Sequence, residues 1–434
     1  MTTKPSYTPA LRFPDFINNG EWEVKRLGEI AERITHKVGN ANLRPVSISA
    51  GIGFVDQKNK FGRDISGNQY SNYIVLKKGE FAYNKGNSIK YPQGCVYKLK
   101  EFDVVACPNV FVCFRIIDEN VCPDFLSAYF ANNYHGIQLQ QFITSGVRSN
   151  GLLNISAEDF FSIQIPFPSL PEQRRIAQAL TALDELIAAT NEKLEQMKAY
   201  KKGLMQQLFV DSTGGGKSLK INYLQIQKLR FPEFYQEKEW EEKKLGEIFM
   251  RITDRNKENN QNVLTISAQY GLVSQYDYFN KNVASADVSN YYIINKGDFA
   301  YNKSRSQGHP YGAIKSLRLY DKGIVSPLYI CFRTKSDDFD CDFLEYYFDT
   351  DLIDGEIGQI AQEGARNHGL LNISTTDFFD NVTIFVPPLP EQRKIASCLS
   401  TMDETINAYT EKVGLLGQFK KGLMQQMFPQ NQMN

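Results

Sequence analysis

Two long stretches of this chain carry apolar residues at alternating intervals of four and three positions. The first stretch follows Pro171 and the second follows Pro390. A sustained period of 3.5 residues is typical of a left-handed coiled coil, so the pattern predicts two long helices with a continuous seam. The seam positions are Ile176, Leu180, Leu183, Ile187, Thr190, Leu194, Met197, Lys201, Leu204 and Leu208, then Ile395, Leu399, Met402, Ile406, Tyr409, Val413, Leu416, Lys420, Leu423 and Met427.

Two seam helices in one chain most simply pair with each other, and their lysines indicate the direction. A parallel pair in register would place Lys201 against Lys420, which is unfavourable for like charges. An antiparallel pair places Lys201 beside Met402 and Lys420 beside Leu183, so that each stem covers an apolar neighbour while its ammonium reaches water. We therefore predict an antiparallel coiled coil with the two globular domains at opposite ends, related by a pseudo-twofold axis. A plain dimerisation rod is the alternative that periodicity leaves open.

The regions before the helices have a different pattern. Short apolar runs rich in Val, Ile, Tyr and Phe, such as Tyr73 to Leu76 and Val110 to Phe114, are separated by Gly, Asn and Pro. Such runs predict strands joined by turns. One short helix is predicted at Asp124 to Asn132, where aromatic and aliphatic residues fall at helical spacing. The predicted fold class is α+β, with a sheet that is mostly antiparallel.

The chain contains an internal repeat that covers most of its length. Leu11 to Phe16 returns 218 positions later as Leu229 to Phe234. A period this long indicates two whole units, each a globular domain followed by a seam helix. The predicted boundaries are residues 1–168 for the first globular domain, 169–212 for the first helix, 213–386 for a linker and the second domain, and 387–434 for the second helix. Other repeated segments are Phe81 to Lys85 with Phe299 to Lys303, Gly151 to Ser156 with Gly369 to Ser374, Leu170 to Arg174 with Leu389 to Arg393, and Lys201 to Gln207 with Lys420 to Gln426.

Composition narrows the protein class. The 434 residues have a formal net charge of zero, so total charge argues neither for nor against a nucleic-acid partner. No apolar run approaches the ~20 residues that a membrane-spanning helix needs, and the chain is expected to be soluble and intracellular. The seven cysteines have no metal-ligand spacing and are expected to be free thiols in a reducing compartment.

No catalytic residue or metal site is predicted. The chain contains neither the Asn/Asp-Pro-Pro-aromatic motif of adenine methyltransferases nor their glycine-rich cofactor loop. Thr213 to Ser218 resembles a phosphate loop, but Asp211 stands where the first glycine should be, so the segment is interpreted as a flexible linker. A nuclease site of Asp15, Glu23 and Lys25 is a weak alternative, because the second repeat does not preserve its pattern.

The repeated motifs resemble those of one known family. Each repeat contains Gly-Leu-Leu-Asn-Ile-Ser, then Asp-Phe-Phe, then Leu-Pro-Glu-Gln-Arg at the start of a long helix. With these motifs the chain resembles the specificity subunit of type I restriction–modification enzymes. The resemblance covers essentially the whole chain. It implies a non-catalytic, cytoplasmic subunit whose two target recognition domains each read one half of a bipartite sequence in double-stranded DNA.

The same resemblance implies partners. The helices would act as a spacer and bind two methyltransferase subunits, and restriction/translocase subunits could join. S-adenosylmethionine, ATP and Mg²⁺ are expected on those partners, and no cofactor is expected on this chain. The Lys-Lys-Gly-Leu-Met-Gln-Gln segments, 201–207 and 420–426, are candidates for methyltransferase docking or mark only the end of the rod. A two-headed protein-interaction scaffold without DNA specificity is the alternative function.

Comparison of the repeats suggests which residues touch DNA. Phosphate contacts carry no sequence information, so polar positions shared by both repeats are candidates for backbone anchoring, and polar positions that differ are candidates for base readout. Ordinary solvated loop surface is the alternative for any single residue. The candidates are Lys85, Asn87, Ser88, Lys90, Arg148 and Asn150 in the first repeat, and Lys303, Arg305, Ser306, His309, Arg366 and His368 in the second.

Overall fold

The computed structural model describes residues 7–86, 91–143, 152–209, 229–267, 271–279, 287–306, 308–350, 352–366 and 369–429. The chain divides into two compact units. The first unit comprises Met1–Asn191 with Glu411–Asn434, and the second comprises Glu192–Thr410. Each unit therefore contains one globular domain, the first part of the long helix that follows it and the last part of the other long helix. No helix among the described residues is long and apolar enough to cross a membrane.

The first unit is built from short strands and helices in the order that the sequence pattern predicts. Its strands are β1 (Glu23–Arg26), β2 (Ala31–Arg33), β3 (Val46–Ser49), β4 (Gly53–Asp56), β5 (Ile74–Lys77), β6 (Phe81–Asn84), β7 (Cys95–Lys98), β8 (Val104–Cys107), β9 (Val112–Ile116) and β10 (Gln164–Phe167). Its helices are α1 (Leu27–Ile30), α2 (Gln57–Phe61), α3 (Pro123–Ala131), α4 (Tyr134–Leu139) and α5 (Ala157–Phe161), and the long helix α6 (Leu170–Leu208) begins here. The helix expected at Asp124 to Asn132 is α3.

The second unit repeats this series. Its strands are β11 (Glu241–Lys244), β12 (Phe249–Ile252), β13 (Leu264–Ser267), β14 (Gly271–Ser274), β15 (Tyr292–Asn295), β16 (Phe299–Asn302), β17 (Ala313–Ser316), β18 (Lys322–Val325), β19 (Ile330–Thr334), β20 (Gln362–Arg366), β21 (Leu370–Asn372) and β22 (Thr383–Val386). Its helices are α7 (Leu245–Ile248), α8 (Gln275–Phe279), α9 (Cys341–Phe348), α10 (Leu352–Ile360) and α11 (Thr375–Asn381), and the second long helix is α12 (Leu389–Met427).

A four-stranded antiparallel sheet lies at the centre of each unit. Its strand order is β2-β9-β6-β7 in the first unit and β12-β19-β16-β17 in the second, and smaller two-stranded ladders such as β3-β4 and β5-β8 surround it. Aromatic side chains form the core between sheet and helices. Phe81 stacks on Phe114 with ring centroids 5.1 Å apart, and Phe299 stacks on Phe332 in the same way. The prediction of an α+β fold with a mostly antiparallel sheet is confirmed.

The long helices form the predicted seam, because every seam position is buried or half-buried in both helices. In the first unit the end of α12 lies against the start of α6, as the ion pair between Lys420 and Asp184 shows. In the second unit Lys201 Nζ lies 2.6 Å from both carboxylate oxygens of Asp403. The antiparallel direction is therefore confirmed.

The expected surroundings of the two seam lysines are wrong in one respect. The sequence pattern predicts that each lysine lays its stem on Leu183 or Met402 and keeps its ammonium in water. Each ammonium instead binds the aspartate next in sequence, Asp184 or Asp403. A carboxylate one position outside the seam is within reach of a four-carbon stem, and an ion pair of this kind adds a modest stabilisation.

The helix ends complete the domain cores. Met424, Met427 and Phe428, at the end of α12, are buried in the core of the first unit, where the Phe428 ring lies 5.2 Å from that of Phe125. Leu208 and Phe209, at the end of α6, are buried in the core of the second unit. The apolar residues within and directly after the repeated Lys-Lys-Gly-Leu-Met-Gln-Gln segments therefore anchor the helix ends in the domain cores, whereas Lys202 and Lys421 are exposed.

The Leu-Pro-Glu-Gln-Arg motif joins each helix to its domain through the glutamate. Arg12 binds Glu172 with both donors of its guanidinium fork, at 2.8 and 2.6 Å, and Glu172 is buried. Arg230 binds Glu391 in the same way at 2.9 and 2.7 Å. Because Arg12 and Arg230 belong to the repeated Leu-Arg-Phe-Pro segment, the first motif of each repeat is bonded to the start of that repeat's helix.

The glutamine of the motif fastens a second loop to the helix. Gln173 donates to the carbonyls of Asn120 and Pro168 and accepts from the backbone of Cys122, at 2.8 to 3.0 Å. Gln392 makes the equivalent three bonds in the second unit, to Asp338, Pro387 and Asp340. Buried polar groups are costly unless they are paired, and both glutamines have partners for donor and acceptor alike. The motif therefore connects the start of each long helix to its globular domain through buried hydrogen bonds.

Candidate nucleic-acid interface

The loop that joins the last two strands in the strand order of each central sheet carries most of the predicted DNA contacts. We call residues 85–94, between β6 and β7, the first hairpin loop, and residues 303–312, between β16 and β17, the second hairpin loop. In the first unit the hydroxyl of Tyr83 donates to the carbonyl of Gln93 at 2.7 Å. The ring of Tyr83 stacks on Phe160 at 4.4 Å, so the loop is tied to a buried core residue.

The second unit holds its loop in the same way. Tyr301 donates to the carbonyl of Tyr311 at 2.6 Å and stacks on Phe378 at 5.1 Å. Phe160 and Phe378 belong to the repeated Asp-Phe-Phe motif. Two motifs that are far apart in sequence therefore meet beneath each hairpin loop.

Glycine is required where each loop enters its returning strand. Gly94 has φ +83° and Gly312 has φ +86°, a region that side chains rarely adopt. A Cβ at either position would collide with the backbone oxygen of Asn84 or Asn302. We call Tyr83, Gly94 and Phe160, with their counterparts Tyr301, Gly312 and Phe378, the loop frame. The sequence comparison selected the loops up to Gly94 and Gly312 but not the two tyrosines and two phenylalanines, although their identity in both repeats was the available signal.

The Gly-Leu-Leu-Asn-Ile-Ser segment borders each loop on its other side. Leu153 donates its backbone N–H to the carbonyl of Lys85 at 2.9 Å, and Leu371 donates to that of Lys303 at 3.0 Å. The ammonium of Lys85 also donates to the carbonyl of Ile155 at 3.1 Å.

In the second unit several predicted residues come together. Arg305 and Ser306 are exposed and His309 is half-buried, with Ser306 and His309 paired through both backbone N–H groups across a tight turn. Arg305 donates its backbone N–H to Gly369 at 3.0 Å, and Arg366 in β20 is paired with the adjacent Leu370. The second hairpin loop is therefore bonded through its backbone to the start of β21.

The remaining predicted residues fall outside the described part of the chain. These are Asn87, Ser88, Lys90, Arg148, Asn150 and His368, together with the side chain of Arg366. Their roles stay predictions, as do those of the residues that are described.

Two shared arginines near the loops serve other groups. Arg333 binds Asp298 through two bonds of 3.0 and 2.8 Å. Burial raises the pKa of Asp298, against the opposing effect of the Arg333 guanidinium. Arg115 pairs with Glu32 across the β2-β9 ladder. Within the described ranges, no group of three or more His, Cys, Asp or Glu side chains could hold a metal ion.

Comparison with known families decides the identity. The family described as type I restriction modification DNA specificity domain matches residues 19–199 and again residues 237–414. The chain belongs to this family. It is therefore a DNA sequence-recognition subunit of a type I restriction–modification system, with one specificity domain in each repeat. The two matched regions coincide with the two copies that the internal repeat defines.

Relatives and solved structures agree with this assignment. The MjaX protein of Methanocaldococcus jannaschii, a putative type I specificity subunit, is 22% identical over 93% of this chain and 92% of its own length. The MjaVIII specificity subunit of the same organism is 31% identical over a shorter region, 26% of this chain and 25% of that protein. The type I S subunit from M. genitalium has the same fold, with a TM-score of 0.53 at 14% identity, over 98% of this chain and 99% of that one. A chain from a solved type I restriction–modification system gives a TM-score of 0.50 at 17% identity, over 94% and 97%.

Proposed function

We propose that this specificity subunit reads an asymmetric bipartite target in duplex DNA, with one half-site for each repeat. The observation that carries the proposal is the loop frame. Tyr83, Gly94 and Phe160 hold the first hairpin loop in the same way as their identical counterparts hold the second, yet the sequences of the two loops differ at several polar positions. One scaffold that presents two different polar surfaces suits two different half-sites.

The loops divide their roles by residue type. Lys85 and Lys303, which both repeats share, are proposed to contact phosphate, which positions the protein without reading sequence. Arg305 in the second repeat, where the first has Asn87, is proposed to read bases. An arginine forks onto guanine and an asparagine onto adenine, each contributing ~1–3 kcal/mol of discrimination.

The chemistry is proposed to reside on partner subunits. We assign no catalytic residue to this chain, and S-adenosylmethionine, ATP and Mg²⁺ are proposed to be bound by methyltransferase and restriction subunits. The seven cysteines are free thiols, four of them buried, which suits a reducing cytoplasm.

A matched pair of exposed surfaces is proposed to dock two methyltransferase subunits. In the second unit α6 presents Lys193, Tyr200 and Gln207 at intervals of seven, which places them on one helix face. In the first unit α12 presents Lys412, Phe419 and Gln426 at the equivalent positions. We call these two sets the aromatic strips. Tyr200 is 67% exposed and Phe419 61%.

Comparison of the strips with the rest of the same helix surface supports docking. Exposed aromatic side chains are favoured anchors in protein interfaces. Other exposed positions nearby differ between the helices: Glu195, Lys198 and Ala199 of α6 correspond to Gly414, Gly417 and Gln418 of α12. A surface kept alike in both helices, beside one that has diverged, fits a single kind of partner that binds twice.

Methylation mapping by long-read sequencing tests the function. A host that expresses this chain with its neighbouring methyltransferase subunit is compared with the same host lacking this chain. The expected result is a new methylated motif of two unlike half-sites around a fixed gap. If the segment 35–150 is then exchanged for a different one, one half of this motif should change and the other half should stay the same. No new motif, with the partner expressed and soluble, would contradict the proposal and favour a protein-binding scaffold.

A further inference from the structure

The turn between β3 and β4 presents an isoleucine to solvent. Ile52 is 75% exposed and stands between two glycines in left-handed conformations, Gly51 at φ +85° and Gly53 at φ +111°. A single exposed aliphatic residue is common on protein surfaces and needs no explanation. Two further observations distinguish this one.

The first observation is that the turn is bonded to the first hairpin loop. The backbone N–H of Gly51 donates to the hydroxyl of Tyr97 at 2.7 Å, and a side-chain hydrogen bond links Tyr97 to Tyr91. Tyr91 lies in the first hairpin loop, and Tyr97 lies in β7 directly after it. The two tyrosines therefore hold the tip that carries Ile52 beside the loop that is proposed to read DNA.

The second observation comes from the repeat. The tip is enclosed by identical residues in both copies, Ile-Ser-Ala before it at 48–50 and 266–268, and glycine after it at Gly53 and Gly271. Between them the first copy has Gly51-Ile52 and the second has Gln269-Tyr270. The two copies therefore differ at two residues that are flanked by identical ones, and the two hairpin loops differ in the same manner.

The chemistry of the tip limits what it can recognise. Residues 49–53 carry no charge, and the Ile52 side chain has no hydrogen-bonding group. In the major groove the one apolar feature that differs between base pairs is the C5-methyl group of thymine. We propose that Ile52 contacts a thymine methyl group in the half-site read by the first repeat, and that position 52 is a specificity determinant. This inference rests on the proposed function.

The test uses the complex of this chain with its methyltransferase subunits and duplexes that carry the mapped motif. Each thymine of the half-site read by the first repeat is replaced in turn by uracil, which removes only the C5-methyl group. Binding is measured by fluorescence anisotropy for the wild type, Ile52→Ala and a control, Ile117→Ala. Ile117 is 53% exposed in the same domain. Gly51 is left unchanged because its positive φ disfavours a side chain.

For the wild type and the control, uracil at one position should weaken binding about fourfold, as expected for the burial of one methyl group. Ile52→Ala should bind the thymine duplex about as weakly as the wild type binds the uracil duplex, and should not distinguish the two. An equal weakening in the wild type and Ile52→Ala, no weakening in either, or a half-site without thymine would overturn the inference. Absence of any bipartite motif would instead show that the proposed function itself is wrong.

Discussion

His135 is a buried imidazole whose two ring nitrogens are both unsatisfied. It is 1% exposed, neither nitrogen has a hydrogen-bond partner, and its ring lies 5.2 Å from that of Phe130 and 6.2 Å from that of Tyr83. The second repeat has Ile353 at the equivalent position, buried in the same way. An unsatisfied buried polar group costs ~1–3 kcal/mol, so the first unit carries a local instability that the second lacks.

Replacement of this residue by its counterpart, His135→Ile, should therefore stabilise the full chain by about 1–3 kcal/mol at pH 7. Thermal unfolding followed by calorimetry provides the measurement. Ile353→His is the matched control and should destabilise the protein. A wild type more stable than His135→Ile would mean that the imidazole has a partner in solution.

The same residue should make stability depend on pH. Burial lowers the pKa of His135 from its ordinary value of 6.5 to about 3. As the pH falls below ~6.5 the unfolded chain takes up a proton that the folded chain refuses, so stability is lost between those two values. The advantage of His135→Ile should grow by about 2 kcal/mol from pH 7 to pH 5. An advantage that stays constant across this range would contradict the assignment.

The start of α6 holds a buried ion pair between Arg12 and Glu172. Glu172→Ala leaves the Arg12 guanidinium, whose side chain is 6% exposed, without its carboxylate. The expected cost is about 3–5 kcal/mol in the free energy of unfolding, measured by denaturant titration. The double variant Arg12→Met with Glu172→Leu should be less destabilised, because no unpaired charge remains. Glu195→Ala, which breaks an exposed pair with Lys198, should change stability by under ~0.5 kcal/mol.

At the scale of elements, the hairpin loops separate anchoring from readout. The double variant Lys85→Ala with Lys303→Ala should weaken binding of the subunit complex to all sequences. The slope of log affinity against log salt should become shallower by about 0.9 for each phosphate that is no longer neutralised. Titration at several salt concentrations gives the slope. Arg305→Ala should keep most of the salt dependence and relax the choice of base in one half-site. If both variants altered only the slope, the division of roles would be wrong.

The seam shows how far the sequence predicts an element. A period of 3.5 is enough to predict two helices and their buried face, because burial follows the heptad directly, and the positions of Lys201 and Lys420 in the seam indicate the antiparallel direction. The partners of Lys201 and Lys420 are not predictable in this way, because Asp184 and Asp403 lie outside the seam positions and belong to the facing helix. A lysine side chain is long enough to reach a residue one position outside the seam, and the pattern of buried positions does not show which residue its ammonium binds.

The candidate site is predictable only in part for a similar reason. Repeat comparison selects the hairpin loops, since differences between copies are visible in the sequence. It does not reveal that Phe160 lies under Tyr83, or that Tyr97 bonds to Gly51, because these contacts depend on the packing of segments far apart in the chain.

At the scale of the whole molecule, the aromatic strips predict the stoichiometry of assembly. Tyr200→Ala or Phe419→Ala alone should leave a complex with one methyltransferase subunit, and the double variant should bind none, because each strip is proposed to hold one partner. Native mass spectrometry counts the subunits. Lys198→Ala, on a diverged part of the same helix surface, is the control. A double variant that keeps both subunits would place docking elsewhere.

The burial of Phe428 links two segments that are far apart in the chain. Met424, Met427 and Phe428 follow the second globular domain in sequence, yet they complete the core of the first domain, against Trp22 and Phe125. A nonsense mutation or frameshift just before these codons should therefore impair recognition of the half-site read by the first repeat. The recognition defect would then lie in the half-site of the first repeat, although the mutation lies in the second repeat.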